Sequence, residues 1–457
     1  MMKTLPLIDN KQFYKAVITI ALPIAFQSLI SSTLNLVDTL MIGSLGELEL
    51  AAVGLSTQLY FIHYMLLFGI TSGASTFVSQ FWGASDLKSI RKVTGFAILM
   101  SFLASLIFFI PAFFFPEAVL GIFTDDPEII SLGAQFVSTA SFTFLTLSIV
   151  VPLVSALRTT EQTKIPLKIS VIVFCTNTFL NYIFIFGNFG MPALGVKGAA
   201  LSTLTARCLE LLLILFVVII RKNIIYGKIR EFFSFNTQLV ARIVRNALPT
   251  TINEVMWGSG MAAFNAAYGR MGVTEFASIQ ASNTIMTLFI LFAFSLGDAT
   301  LILVGKRLGA GELLYAYAKA KKLLRLSVVV GLISGLLLII LSPFILQLFN
   351  FTPKGQFYAR NILLIYGLFM SIKVFNGINI TGPFRAGGDT KFAMYLEIGC
   401  IWLIAVPLVF IGAFYLALPV YLVVLMAQTS EIVEFVLCYR RFKSRKWVNN
   451  LIHDINP

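Results

Sequence analysis

Apolar residues occur in long runs along this chain, and short polar segments separate the runs. A run of about 20 apolar residues is long enough to cross a bilayer as an α-helix. Several runs exceed this length, so we expect helices that tilt or that extend beyond the membrane. The pattern predicts twelve transmembrane helices, at residues 15–42, 51–81, 92–115, 128–157, 165–187, 196–221, 241–268, 276–306, 318–347, 358–383, 392–414 and 418–440.

Composition supports the same interpretation. The chain is 58% hydrophobic and 12% charged, with a mean hydropathy of +0.88, whereas a soluble domain carries about 25% charged residues. We therefore predict an all-α polytopic membrane protein. The net charge of +13 does not indicate nucleic-acid binding, because the basic residues lie in short clusters between the apolar runs.

The positions of these basic residues predict the orientation. If the N-terminus lies inside, most of the 34 Lys and Arg residues fall in inner segments, and the outer loops hold only Lys197, Arg270, Lys354 and Arg360. By the positive-inside rule both termini are cytoplasmic. The first run is too long for the apolar region of a signal peptide, so we expect it to remain as the first transmembrane helix.

An internal repeat divides the chain into halves. The sequence ALPIAF around Pro23 recurs as ALPTTI around Pro249, and LRTTEQTK recurs as FRAGGDTK at an offset of about 227. Each half has six spans. Because six is an even number, both halves have the same orientation in the membrane and are parallel repeats. Transporters built from such repeats bind substrate between them. The predicted domains are an N-terminal six-helix lobe at 1–220, a cytoplasmic interfacial linker at 221–240, and a C-terminal six-helix lobe with a basic cytoplasmic tail at 241–457.

One carboxylate, Asp38, lies inside the first span. A charged side chain at the bilayer centre costs about 2.5–3.5 kcal/mol on insertion scales, and such residues usually mark function. Asn177 and Asn181 share one face of the fifth span, and Thr203 follows in the sixth. These four oxygen-bearing side chains suit a coupling ion, either Na+ or a proton taken up by Asp38. For the Asn and Thr residues alone, hydrogen bonds that join helices are the plainer interpretation.

The second half lacks this set. The repeat places Phe264 opposite Asp38, whereas the second half has its own acid, Glu254, opposite Ser28. Three interpretations of Glu254 stay open: a partner for a substrate cation, a second titratable site, or a salt bridge with Lys373.

Other intramembrane charges suggest structural pairs. Arg207 and Glu210 are spaced i,i+3 on one span and are expected to neutralise each other. Glu431 and Glu434 precede the basic tail and could bind Arg440 or another inner base. The four cysteines lie in apolar segments without CxxC spacing, so we expect no metal site other than Na+ at Asp38, and no cofactor.

Several aromatic and methionine side chains could line a cavity for bulky amphipathic cations, although residues at such spacings usually serve packing. They are Tyr60, Phe68, Met256, Trp257, Met261, Met286 and Phe289.

Together these features resemble the multidrug and toxic compound extrusion (MATE) transporters. The resemblance is carried by Leu22-Pro23, VDTLMIGSLG, AAVG, NEVMW and FRAGGDTKF. These motifs occur in that family's order within a six-plus-six repeat. It implies a V-shaped pair of lobes around a central cleft, and export of cationic amphipathic compounds in exchange for Na+ or H+. The family's bending proline falls on Pro23 and its seventh-helix acid on Glu254. The tenth-helix acid of some Na+-linked members is absent, with Val374 and Asn376 nearby.

The predicted function is secondary active multidrug efflux by alternating access, without enzymatic activity. We expect a monomer in the bacterial inner membrane that binds small amphipathic cations and no nucleic acid. One alternative is a flippase for lipid-linked precursors, which would need several basic residues in the cleft to bind phosphate. Another is a membrane receptor that does not transport.

Overall fold

The computed structural model describes residues 8–347, 349 and 351–453, and the regular structure in these ranges is helical. The first half contains α1 Asn10–Gly43, α2 Glu47–Gly83, α3 Leu87–Phe114, α4 Pro116–Leu120, α5 Pro127–Ala140, α6 Phe142–Thr159, α7 Lys164–Phe186 and α8 Gly195–Leu215. The second contains α9 Ile229–Phe232, α10 Thr237–Gly269, α11 Val273–Gly309, α12 Leu313–Leu346, α13 Pro353–Asn379, α14 Thr390–Gly399, α15 Val406–Phe410 and α16 Val420–Lys443. π-helical turns extend α8, α13, α14 and α15, at Phe216–Ile220, Ile380–Phe384, Cys400–Ala405 and Ile411–Tyr415.

These helices confirm the prediction of an all-α polytopic membrane protein. In the described ranges, eleven helical stretches are long and apolar enough to cross a membrane. The remaining predicted span coincides with α10, whose 33 residues make a helix roughly 50 Å long. Helix α10 is less apolar because it carries Arg242, Arg245, Asn253 and Glu254. The predicted fourth span is divided, since α5 ends at Ala140 and α6 begins at Phe142.

Large apolar side chains cover much of the outer surface. Ile107 on α3 is 70% exposed, and Leu336 and Phe344 on α12 are 59% and 66% exposed. Exposed apolar surface on this scale is unfavourable in water and suits contact with lipid.

The described chain forms two compact units. Unit 1 contains residues up to 25, 79–85 and from 248 onward, and unit 2 contains 26–78 and 86–247. The long helices α1 and α10 each pass from one unit to the other within three residues of a proline, Pro23 or Pro249. Proline cannot donate the backbone hydrogen bond of a regular helix, so each helix is weakened at this point.

Close backbone packing inside unit 1 explains the repeated Gly-Ala pairs that end α2 and α11. A Cβ atom on Gly83 would collide with the carbonyl of Lys306, and a Cβ atom on Gly309 would collide with the carbonyl of Gln80. Small residues let the backbones of membrane helices approach this closely.

The basic tail packs against other parts of unit 1, to which it belongs. Trp447 is fully buried, with its ring centroid 5.4 Å from that of Phe442 and 6.3 Å from that of Tyr317. The Gln80 side chain donates to the Asn449 carbonyl at 3.1 Å and accepts from the Leu451 amide at 2.7 Å. The tail therefore has a structural role in addition to the orientation signal in its charges.

Candidate functional site

Unit 2 brings together three of the four side chains that the sequence predicts for ion coupling. Asn181 on α7 donates through Nδ2 to Asp38 Oδ1 on α1 at 2.5 Å, and to Asn177 Oδ1 at 3.1 Å. Asn177 and Asn181 are each 1% exposed, and Asp38 is half-buried. The i,i+4 spacing on α7 places both amides on the face that meets α1, so one carboxylate and two amides form a continuous polar cluster.

This cluster has an unsatisfied oxygen. Asn181 Oδ1 is buried and has no hydrogen-bond partner among the described residues. A buried acceptor without a donor costs about 1–3 kcal/mol. A cation would satisfy both this oxygen and the negative charge of Asp38, because carbonyl and carboxylate oxygens are the ligands that hard cations prefer. The donor set therefore fits Na+, and its carboxylate can equally accept a proton.

Helix α8 contributes a salt bridge next to this cluster. Arg207 Nη1 lies 2.6 Å from Glu210 Oε2, which confirms the expected i,i+3 pair. The positive charge of Arg207 also acts on Asp38. Thr203, one turn before Arg207, is half-buried, and the described contacts include no hydrogen bond from it to Asp38.

In unit 1 the possible salt bridge between Glu254 and Lys373 is wrong. Arg385 donates through Nη2 to Glu254 Oε1, and Lys373 Nζ instead lies 2.8 Å from Glu431 Oε1. The sequence places Arg385 in an inner loop, but the residue follows the π-helical turn after α13, contacts Glu254 on α10 and is only 4% exposed. The pairing of Glu431 with Arg440 or another inner base is also wrong, because Glu431 pairs with Lys373, which lies within a predicted span.

Sequence reasoning missed Glu397 on α14. Its Oε2 accepts a hydrogen bond from Asn253 Nδ2 on α10 at 2.5 Å. Two features of the sequence could have identified it. It is a carboxylate inside an apolar run, and the repeat places it opposite the uncharged Ser170.

The residues proposed to line a cleft are all half-buried. The rings of Tyr60 and Phe144 lie with centroids 4.7 Å apart at an interplanar angle of 39°, and Met286 and Phe289 pack against the core of unit 1. The contacts of Tyr60, Met286 and Phe289 agree with a packing role. The seven residues are Tyr60 and Phe68 in unit 2, and Met256, Trp257, Met261, Met286 and Phe289 in unit 1.

Comparison with known proteins covers nearly the whole chain. A family model described as MatE matches residues 23–183 and 249–411, which correspond to the two halves of the repeat. The uncharacterized transporter YisQ of Bacillus subtilis is 24% identical, over 90% of both chains. The probable multidrug resistance protein YoeA of the same organism is 24% identical, over 98% of both. A solved MOP superfamily transporter from Pyrococcus furiosus has a TM-score of 0.83 at 20% identity, covering 95% of this chain and 97% of its own.

Proposed function

Because the chain belongs to the MatE family of membrane transporters, we propose that it is a secondary active antiporter that exports drugs in exchange for Na+ or H+. The observation that carries this proposal is the contact between Asp38 and Asn181, with the unsatisfied Asn181 oxygen beside it. A carboxylate that binds and releases a cation inside the membrane can couple an ion gradient to a conformational change.

The coupling cycle follows from the cost of a buried charge. A cation enters from outside and neutralises Asp38, which favours the conformation in which the site is closed to water. The first helix bends near Pro23, and drug is released outward. When Asp38 faces the cytoplasm again it releases the cation, and the protein binds the next drug molecule. The weakened backbone at Pro23 and at Pro249, where α1 and α10 pass between the compact units, supports this part of the proposal.

The substrates proposed are small amphipathic cations. YoeA is named as a probable multidrug resistance protein, and the half-buried aromatic and methionine residues provide polarisable surface for such compounds. We place the transporter in a bacterial inner membrane as a monomer, and the positive-inside pattern supports termini in the cytoplasm. The two family-model matches support lobes at 1–220 and 241–457, joined by a linker at 221–240.

The flippase alternative receives less support from these contacts. A phosphate-binding cleft needs basic side chains that are available to the ligand. Arg207 and Lys373 lie well inside predicted spans, and both are committed to acids, Arg207 to Glu210 and Lys373 to Glu431.

The test uses purified protein in proteoliposomes with a fluorescent lipophilic cation as substrate. Na+ and pH gradients are imposed separately. We expect one of them to drive dye transport, and we expect Asp38→Asn to abolish gradient-driven transport. The matched control is Asp125→Asn, which changes an acid in an exposed loop and should transport normally.

Two results would refute the proposal. Gradient-driven transport by Asp38→Asn at the wild-type rate would remove Asp38 from the mechanism. Dye binding by the wild type without net flux under either gradient would indicate a receptor.

A further inference from the structure

Helix α1 is bonded to α7 at two levels within unit 2. At the inner level, Gln27 Nε2 donates to Ser170 Oγ at 3.1 Å. At the outer level, Asn181 Nδ2 donates to Asp38 Oδ1 at 2.5 Å. Both bonds span 143 residues of chain, so the outer partners lie equally far along each helix, as expected for two parallel helices in register. The spacing is close to three helical turns and places the bonds on one face of each helix, about 16 Å apart.

The inner level is built around Gln27, whose amide oxygen and nitrogen are both used. Its Oε1 accepts from Arg158 Nη2 at 2.6 Å and from Arg158 Nε at 3.1 Å, while its Nε2 donates to Ser170. Gln27 is 7% exposed and Ser170 is 9% exposed. Arg158 lies in the last turn of α6. A single buried side chain therefore links α1 to two other helices of unit 2.

The part of α1 that follows Pro23 has little apolar packing of its own. Over residues 26–43, the buried positions are Gln27, Leu34 and Ile42, which follow one narrow stripe. Leu40, on another side of the helix, is 64% exposed. The backbone is also weakened where this segment begins, because Pro23 cannot donate a helical hydrogen bond. Bonds between polar side chains are therefore needed to fix the rotation of this segment.

The repeat preserves the inner level in the second half. Asn253 Nδ2 on α10 donates to Glu397 Oε2 on α14 at 2.5 Å. The repeat places these two residues at the positions of Gln27 and Ser170. An arginine completes the junction in each half, and in this half it is Arg385. Because the side chains differ in size and charge while the contact remains, its common role is to hold the helix that follows the proline.

The outer level is specific to the first half. Phe264 and Leu408 occupy the positions equivalent to Asp38 and Asn181, and their side chains cannot form a hydrogen bond. In the first half, therefore, the helix held by the inner level is also the helix that carries the coupling acid. A rotation of α1 by one residue would turn Asp38 about 100° away from α7.

We propose that Gln27 is a positioning residue for ion coupling. Its bonds to Arg158 and Ser170 hold α1 in register with α7, which keeps Asp38 within hydrogen-bond distance of Asn181. The proposal rests on the antiport function above and adds to it a residue that acts on the cation only through Asp38.

The first experiment measures cation binding by the full-length protein in detergent. Equilibrium binding of radioactive Na+ at fixed pH and proton uptake in Na+-free buffer are recorded, and the part that Asp38→Asn removes is assigned to Asp38. Gln27→Leu removes both polar atoms of the amide at similar volume. We expect Na+ binding about tenfold weaker, or a midpoint of proton uptake displaced by about one pH unit, the equivalent of one charge-assisted hydrogen bond.

A conservative variant and a milder variant accompany Gln27→Leu. Gln27→Glu should restore binding to near the wild-type value, because its carboxylate accepts from Arg158 and from the Ser170 hydroxyl. Ser170→Ala removes a single hydroxyl and should shift binding in the same direction as Gln27→Leu. It decides the question if Gln27→Leu does not fold.

Two controls separate positioning from a general loss of stability. Gln135→Leu changes an exposed glutamine on α5 of the same unit and should bind cations normally. Leu153→Ala removes a buried side chain from α6 and should lower stability without a change in cation binding. If Gln27→Leu lost stability but bound cations as Leu153→Ala does, Gln27 would have only a structural role and the inference would be overturned.

The second experiment combines Gln27→Leu with Asn181→Leu. If Gln27 acts through the contact between Asp38 and Asn181, Gln27→Leu should have little further effect on cation binding once Asn181 is replaced. The losses of stability should instead add, because the two bonds are about 16 Å apart and share no partner. Independent, additive effects on cation binding would contradict the proposal.

These measurements do not depend on transport. Absence of gradient-driven dye transport by the wild type in proteoliposomes would refute the antiport function, and cation binding would still decide whether Gln27 positions Asp38. Wild-type protein that binds neither Na+ nor a proton at Asp38 would refute both. Binding by Gln27→Leu equal to that of the wild type, for both cations, would overturn the positioning role alone.

Discussion

Removal of either partner from the Arg385–Glu254 pair should have unequal effects on stability. The two side chains are 4% and 12% exposed. Arg385→Gln leaves the buried Glu254 carboxyl group without its basic partner, and breaking a buried ion pair in this way costs about 3–5 kcal/mol. In Glu254→Gln the glutamine oxygen still accepts a hydrogen bond from Arg385, and the Glu397 carboxyl group remains near the guanidinium. The expected loss is therefore that of a charge-assisted hydrogen bond, about 1.5–3 kcal/mol.

The assay is equilibrium unfolding of the purified protein in mixed micelles, followed by circular dichroism and tryptophan fluorescence. The double variant Arg385→Gln/Glu254→Gln removes both charges and should lose less stability than the sum of the single losses, as expected for residues in contact. Arg307→Gln is the matched control, because its pair with Glu312 is 34% and 45% exposed and should contribute at most about 1 kcal/mol. If Arg385→Gln resembled this control, or if the two losses were additive, the proposed role of Glu254 as a neutralised acid would be refuted.

Three further predictions concern other parts of the protein. Asn181→Leu removes the donor to Asp38 and should slow gradient-driven dye export about tenfold or more, the equivalent of a lost charge-assisted hydrogen bond. An initial rate within twofold of wild type in proteoliposomes would contradict this. Gly83→Val should destabilise the protein by about 1–3 kcal/mol through overpacking against α11, whereas Gly54→Ala, in open space, should stabilise it by about 0.5–1 kcal/mol. Equilibrium unfolding in micelles measures the change in stability of both variants. Equal changes would exclude close packing of Gly83 against α11. Trp447→Ala should cost about 3–5 kcal/mol and expose the tail to limited proteolysis, and a tail that stayed resistant would argue against docking through Trp447.

The sequence predicted the helices well because the signal for a membrane span is local. Each span is a run of apolar residues long enough to cross the bilayer, and its limits follow from where polar residues begin. The exception was the fourth span, which the structure divides at Ser141. Hydropathy does not detect such a break, because apolar residues continue on both sides of it.

The cluster around Asp38 could also be predicted in part. An intramembrane acid is rare, and the i,i+4 spacing of Asn177 and Asn181 follows from helix geometry alone. The sequence did not establish a contact for Thr203, because the rotation of α8 relative to α1 depends on the packing of the whole unit. The exposure of each proposed cleft residue also depends on this packing, so the sequence did not predict it.

In this protein the sequence alone determined the order of the long apolar helices, the repeat, and the presence of one unusual acid in the first half. The tertiary structure alone decided which charges are paired in the second half. Arg385 and Glu254 are 131 residues apart in the chain, and Glu397 meets Asn253 across a separation of 144 residues. Such pairs depend on how separate helices are rotated and packed, which the local pattern does not contain. Because a buried polar group is stable only with its partner, this packing determines that Arg385 pairs with Glu254 and that Asn253 donates to Glu397.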